Sequence, residues 1–576
     1  MNTCSLISAV MFVIALYYLL LLIKIFLIVC SFRPYAKIRT GEQRRLLGSE
    51  ERRRRSKEEK LNFMGLRCFA PCTNDEDTIT AFKDIAGILS KIFGDKDLVP
   101  SDILAGLILL SHIHNRDRSG LGVGVETRTI VETMGVSLIR VEAENSPNSK
   151  NVCLEVVAED ERIKLNWSLI KHYYKFAAAA YGYMWWMLQA PCTHCCKMGY
   201  YLQCCRSRCC EDNELFVEGD GVFKPNFAAI KAMLNVDDHD IIAFDNRNMI
   251  EEVPFLVVAD KSTKSLIISI RGTLSLHDLL TDLRGEPGVI LDSHPDWTGH
   301  QGMVNAAKYV MMRLHGQETE REQRTSNRNS RGAARNKDLL NTCLIDPEYE
   351  GFDIVVTGHS LGAGTATILA FLLRDSYPET RVTCYAYSPP GGLLSLAASR
   401  ESEKFTVSVV VGDDVIPRLS LTNIGALSRD IKHVISTCQL PKYQVFGYGF
   451  MACCCRRQNT PLTRELERLG HNSSAASNQG ILNDSSEELL SSVPCSSESG
   501  SPQNHVLLAM PPMYLPGRVI HIQELSGDGY SVTEQDKFVF QQILVSPRML
   551  NDHFPNNLNR VIDACPDTLS LLPVLV

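Results

Sequence analysis

The chain has 576 residues, with 66 acidic against 59 basic side chains and a net charge of −7. That length exceeds one domain, so a catalytic domain of about two to three hundred residues with appended segments is the expected organisation. The one concentrated basic run adjoins an apolar segment instead of patterning a folded surface, which excludes nucleic acid as a partner.

From Leu6 to Cys30 the chain is almost unbroken Leu, Ile, Val, Phe, Tyr and Ala, interrupted only by Ser8 and Lys24. The run is long enough to cross a bilayer, has no basic segment before it and ends in no small-residue cleavage site. Residues 5–31 therefore read as a transmembrane helix and not as a removed signal peptide. Arg33, Lys37, Arg39, Arg44, Arg45, Arg52 to Arg55, Lys57 and Lys60 follow in a linker over 32–75. The positive-inside rule places that linker, and all that follows, in the cytosol. The same basic strip suits anionic lipid headgroups.

Residues 76–240 read as a helical, Cys-rich region packing on the catalytic domain. Ile79, Phe82, Ile85, Ile88, Leu89 and Ile92 recur at helical spacing before the Val99-Pro100-Ser101-Asp102 cap. Phe176 to Leu188 is apolar but too short to span a membrane, and its two tryptophans suit either a buried helix or an interfacial one. Cys192, Cys195, Cys196, Cys204, Cys205, Cys209 and Cys210 cluster with His194. Adjacent cysteines bridge poorly, and these read as reduced thiols. Their spacing fits no standard zinc pattern well, and a lipidated or membrane-apposed loop is the better reading. Asp237, Asp238 and Asp240 read as an exposed acidic turn rather than a calcium site.

From about Phe244 short β-rich runs alternate with helical segments, the pattern of a parallel sheet covered by helices. The strand candidates are Phe255–Ala259, Leu266–Arg271, Asp353–Thr357, Arg381–Tyr387 and Phe405–Val411. The first part of the catalytic core spans 241–442, and its charged insert 315–338 lacks apolar periodicity and is expected to be disordered.

The strongest motif is Gly358-His359-Ser360-Leu361-Gly362. It directly follows the β-run Ile354–Thr357 and directly precedes the helical run Ala363–Leu373. A serine hydroxyl becomes a useful nucleophile only when held against a base, and a sharp strand-to-helix turn presents it that way. Ser360 is the expected nucleophile. An oxyanion hole needs backbone N–H donors aimed at developing charge. Leu361 supplies one by position, and Thr273 in Arg271-Gly272-Thr273 is the candidate for the second, through its backbone or its hydroxyl.

In this fold the acid and then the base follow the nucleophile along the chain. Gly412-Asp413-Asp414-Val415 ends the run Phe405–Val411, and either aspartate could be the acid. Residues 443–510 hold Cys453-Cys454-Cys455, Arg456, Arg457 and eleven serines between Ser473 and Ser501. That stretch reads as a disordered regulatory insert, open to kinases. Five histidines follow the acid. His433 carries no signal, His471 and His505 lie in or at the edge of the insert, and His521 reads as a strand residue. His553, on a loop in the returning core 511–560 before the tail 561–576, is the expected base.

Together these features resemble the fungal-type triacylglycerol lipases: Arg271-Gly272-Thr273, Asp282-Leu283, His300-Gln301-Gly302, Gly358–Gly364, Asp414 to Arg418 and Asp552-His553 occur in their order. The sn-1-specific diacylglycerol lipases are more similar still, through Val99 to Ile103, Ala177–Gly182, Tyr387 to Gly392, Pro516-Gly517-Arg518 and Ser546 to Leu550. The wording from Asp414 to Ser420 leans to the beta type. The resemblance implies an α/β-hydrolase fold and a triad of Ser360, Asp414 and His553, and it selects Asp414 over Asp413. It further implies hydrolysis of diacylglycerol at the sn-1 ester to give 2-monoacylglycerol such as 2-arachidonoylglycerol, calcium stimulation, and a plasma-membrane location. Family members carry four membrane helices, and room for one precedes the basic linker here. The readings left beside this one are a broader triacylglycerol lipase or phospholipase, and a non-catalytic membrane scaffold that keeps the fold.

Overall fold

A computed structural model describes residues 100–120, 161–189, 193–194, 216–218, 220, 225–236, 240–247, 252–272, 287–317, 338–447, 512–524 and 529–565. The expected membrane span, the basic linker, most of the Cys-rich stretch, the bulk of both inserts and the tail lie outside them. No described helix is long and apolar enough to cross a membrane.

The described residues fall into two bodies, the larger holding those of 161–424 and 512–565 and the smaller holding 100–120 and 425–447. The larger is built on strands β1 (Phe216–Glu218), β2 (Ile241–Asp245), β3 (Phe255–Asp260), β4 (Ser265–Ile270), β5 (Pro287–Leu291), β6 (His294–His300), β7 (Asp353–His359), β8 (Val382–Tyr387), β9 (Thr406–Val411), β10 (Arg518–Glu524) and β11 (Tyr530–Gln535). Nine of them form one sheet in the order β1-β2-β3-β4-β7-β8-β9-β10-β11, and β5 and β6 form a separate hairpin. The central run β4, β7, β8, β9 and β10 is parallel throughout. β3, β4, β7, β8 and β9 fall on the five apolar runs of the sequence.

Those runs are apolar because the central strands are covered on both sides. Alternate residues of β7 face opposite ways: Ile354 and Val356 join a core with the helices Gln301–Leu314 and Leu361–Ser376. Val355 joins another with Trp167–Ala179 and Pro555–Ala564. Each fully buried aliphatic side chain of this kind contributes about 1.5–3 kcal/mol. This is the α/β-hydrolase fold.

Trp185 and Trp186 of the helix Gly182–Gln189 are 7% and 4% exposed, while Tyr183 on the same helix is exposed. In the smaller body the helix Pro100–Gly120 starts with proline at its first position, where a missing N–H costs nothing. Asp102 in its first turn makes a buried ion pair with Lys442, and Gly106 lies against Ile431 and Ile435. Residues 443–447, expected to open the second insert, are instead helical, with Val445 fully buried. The apolar spacing of Val445 and Phe446 is too short a signal to separate from the polar stretch after it.

Candidate active site

The Gly358–Gly362 motif is the turn between β7 and the helix Leu361–Ser376. Ser360 stands there with φ 60° and ψ −128°, a left-handed conformation that a non-glycine residue holds only under constraint. Two close approaches supply it. A Cβ at Gly362 would strike the carbonyl oxygen of Ile270 at the end of β4, and one at Gly358 would strike Gly362 itself. The backbone N–H of Ser360 donates to Tyr387 O at 2.9 Å, fastening the turn to the end of β8. The serine is 4% exposed.

Two strands along, β9 ends at Val411 and the chain turns through Gly412 to Asp414, which is fully buried. His553 ends a short 3-10 turn, Asn551–His553, just before the helix Pro555–Ala564. Its Nε2 lies 3.0 Å from Ser360 Oγ, and its Nδ1 lies 3.1 Å from both Asp414 oxygens. The structure thus brings Ser360, His553 and Asp414 into one hydrogen-bonded line, with Asp413 outside it. An imidazole held between a carboxylate and a hydroxyl can draw the proton from that hydroxyl while the carboxylate fixes its tautomer.

Acid and base loops are tied to each other directly. Asp552 accepts from the backbone N–H of Asp413, and Val415 N–H donates to Met549 O at 3.1 Å. His521, on β10, stays away from Ser360 and uses Nε2 to donate to Gly412 O at 2.8 Å, holding the acid turn. His433 lies in the helix Leu421–Thr437, and His471 and His505 are outside the described residues. Nothing in the sequence around Asp552 marks this contact, because its partner stands 139 positions away.

Leu361 is the first residue of its helix, where backbone N–H groups have no intrahelical acceptor. Arg271 and Gly272 follow β4 beside the elbow, and Thr273, the expected second donor, lies just outside the described residues. Leu550 and Phe554, on either side of His553, are 60% and 58% exposed, an apolar rim beside the triad. Among the described residues no group of three or more His, Cys, Asp or Glu side chains could hold a metal ion. Asp240 pairs with Lys261, and Asp237 and Asp238 are outside the described residues.

The family of class 3 lipases matches residues 267–424, from β4 through the acid turn. Mouse diacylglycerol lipase-beta is 33% identical over 514 residues, covering 86% of this chain and 67% of that protein. The chain belongs to the diacylglycerol lipase family. Human diacylglycerol lipase-alpha is 29% identical over 569 residues, which cover 93% of this chain but 49% of the relative, so the chain spans about half of that longer protein. The secreted mono- and diacylglycerol lipase A of Penicillium cyclopium is 36% identical over 90 residues, 16% of this chain. As a member of the diacylglycerol lipase family the protein is a lipase-type hydrolase.

Proposed function

We propose that this enzyme hydrolyses the sn-1 acyl ester of diacylglycerol, with Ser360 as nucleophile, His553 as base and Asp414 as the residue that orients the base. The observation that carries this reading is the unbroken hydrogen-bonded line from Asp414 through His553 to Ser360. His553 takes the Ser360 proton at Nε2 as Oγ attacks the ester carbonyl. The oxyanion of the tetrahedral intermediate is met by the Leu361 N–H and by Thr273. Collapse breaks the ester bond, and His553 returns its proton to the departing alkoxide, so 2-monoacylglycerol leaves and the acyl group stays on Ser360. A water molecule deprotonated by His553 then releases the fatty acid and restores the serine.

The exposed Leu550 and Phe554 favour a substrate with long apolar chains at a lipid surface. In this reading residues 5–31 anchor the protein in the plasma membrane with the catalytic body cytosolic, and the basic run of 32–75 meets anionic headgroups. Serines of 443–510 are sites for kinases. Calcium stimulates without taking part in bond breaking, and a chelator titration measures that dependence.

The test is a panel of diacylglycerols labelled at sn-1 or sn-2, with triacylglycerol and phospholipid alongside, given to purified protein labelled in parallel with a fluorophosphonate. Release of the sn-1 label with Ser360 modified is the expected result. Faster turnover of triacylglycerol or phospholipid would replace the substrate, and an unreactive serine would leave a scaffold.

A further inference from the structure

Three residues that stand in the chain's motifs take no part in bond making above: Tyr181 of Ala177–Gly182, Gly272 of Arg271-Gly272-Thr273, and His359 inside the elbow. They meet at one point. Tyr181 Oη lies 2.8 Å from His359 Nδ1, and His359 Nε2 lies 3.0 Å from the carbonyl oxygen of His553. A carbonyl oxygen can only accept, so Nε2 carries the His359 proton, and Nδ1 is left to accept from the Tyr181 hydroxyl. Both side chains are buried, at 5% and 1% exposure, where an unmet polar group is costly. A Cβ at Gly272 would strike both the Tyr181 hydroxyl and the His359 carbonyl oxygen. Glycine there leaves the space that the tyrosine fills.

The neighbouring contact points the same way. Tyr174, on the helix that precedes Tyr181, donates to Pro555 O at 2.6 Å. Residues 553 and 555 are therefore each held by a backbone carbonyl, one through Tyr174 and one through Tyr181 and His359. The imidazoles of His359 and His553 are 4.8 Å apart between ring centres. A proton on both rings at once would be opposed by their repulsion. Burial keeps His359 neutral, so a proton taken up by His553 during the reaction meets no second charged ring.

Resting on the triad reading, we propose that Tyr181 and His359 are positioning residues for the base: Tyr181 sets the His359 tautomer, and His359 holds the His553 backbone so that its ring stays over Ser360. Neither touches the ester or exchanges a proton with it. Simple core packing would instead need only their bulk.

The full chain purified in detergent, with His359→Leu, His359→Gln and Tyr181→Phe variants, separates the two. Turnover of dispersed diacylglycerol, the rate of fluorophosphonate labelling and the melting temperature are measured on each. The expected result is a kcat about tenfold to a hundredfold lower in His359→Leu and Tyr181→Phe, the equivalent of one buried hydrogen bond, with KM unchanged. His359→Gln, whose amide nitrogen reaches the place of Nε2, recovers most of the rate. A folded His359→Leu at full kcat, or a His359→Gln no better than it, overturns the proposal. If His359→Leu does not fold, Tyr181→Phe, which loses a single oxygen, decides alone, and full kcat in it overturns the proposal. A wild-type protein that neither labels nor hydrolyses sinks the triad reading itself, and the positioning role with it; a reactive wild type with fully active variants sinks the positioning role only.

Discussion

The carboxylate of Asp552 accepts the backbone N–H of Asp413 at 2.9 Å, so the residue before the proposed base grips the residue before the proposed acid. Asp552 is fully buried, and its other oxygen accepts from Asn557 Nδ2 at 3.1 Å and faces Arg548 Nε at 3.4 Å. Asp552→Ala strands the Asp413 N–H away from water, at a cost of about 1–3 kcal/mol. Calorimetry should show a lower melting temperature, and kinetics on the folded fraction a reduced kcat. Asp552→Asn should do little better, because its amide would turn a donor toward one donor or the other. Wild-type kinetics in both variants would mean that the grip is dispensable.

Residues that act as a unit lose nearly all activity when any one is removed. Ser360→Ala should abolish both ester hydrolysis and fluorophosphonate labelling in a protein that melts like the wild type. Asp414→Asn and His553→Ala should each cost about three orders of magnitude or more in kcat. Retained turnover in His553→Ala would remove it as base. His521 could not replace it without letting go of Gly412.

His359 offers a pH test with a definite sign. Burial, and then the neighbouring His553 imidazole, hold its pKa well below the usual 6.5. Unfolding releases it to that ordinary value, so below it the unfolded chain binds the extra proton. The stability of neutral His359 is therefore whole above pH 6.5 and is lost as pH falls, by about 1.4 kcal/mol per pH unit. Urea melts at pH about 7.5 and about 5.5 should show His359→Gln losing about 1.4 kcal/mol less than the wild type across that interval. An equal loss in the two proteins would assign the slope to other groups.

The apolar rim predicts a dependence on how the substrate is presented. Replacing Leu550 and Phe554 together by serine removes exposed hydrophobic surface beside His553. Each side chain that enters a lipid surface gains up to about 1.5–3 kcal/mol, so turnover on vesicles should fall about tenfold or more. A soluble short-chain ester, which has no surface to meet, should lose far less. Equal losses on the two substrates would place the residues inside the site instead.

Strands buried on both faces leave a strong trace in a sequence, and β4, β7, β8 and β9 read directly as apolar runs. The hairpin strand β6, His294–His300, did not, because its first three residues, His294, Pro295 and Asp296, are exposed and no apolar period marks them. Gly358–Gly362 was legible because a tight turn needs small residues at fixed places. The links among Tyr181, His359 and His553, or between Asp552 and Asp413, were not. They join residues 178, 194 and 139 positions apart, and only the pairing of strands brings them within reach.

β9 and β10 pair in parallel from Val407 beside Arg518 to Val411 beside Ile522, with Asp414 reached from one and His553 from beyond the other. The pairing of these two strands and the Asp552 carboxylate on the Asp413 N–H join acid to base. A break anywhere between 447 and 512 would leave one polypeptide with the serine, the aspartate and β9, and another with β10 and the histidine. Two such pieces are expected to be inactive apart and to regain on mixing whatever hydrolysis the whole chain has. That activity can then be read as a report on whether the pieces have found each other.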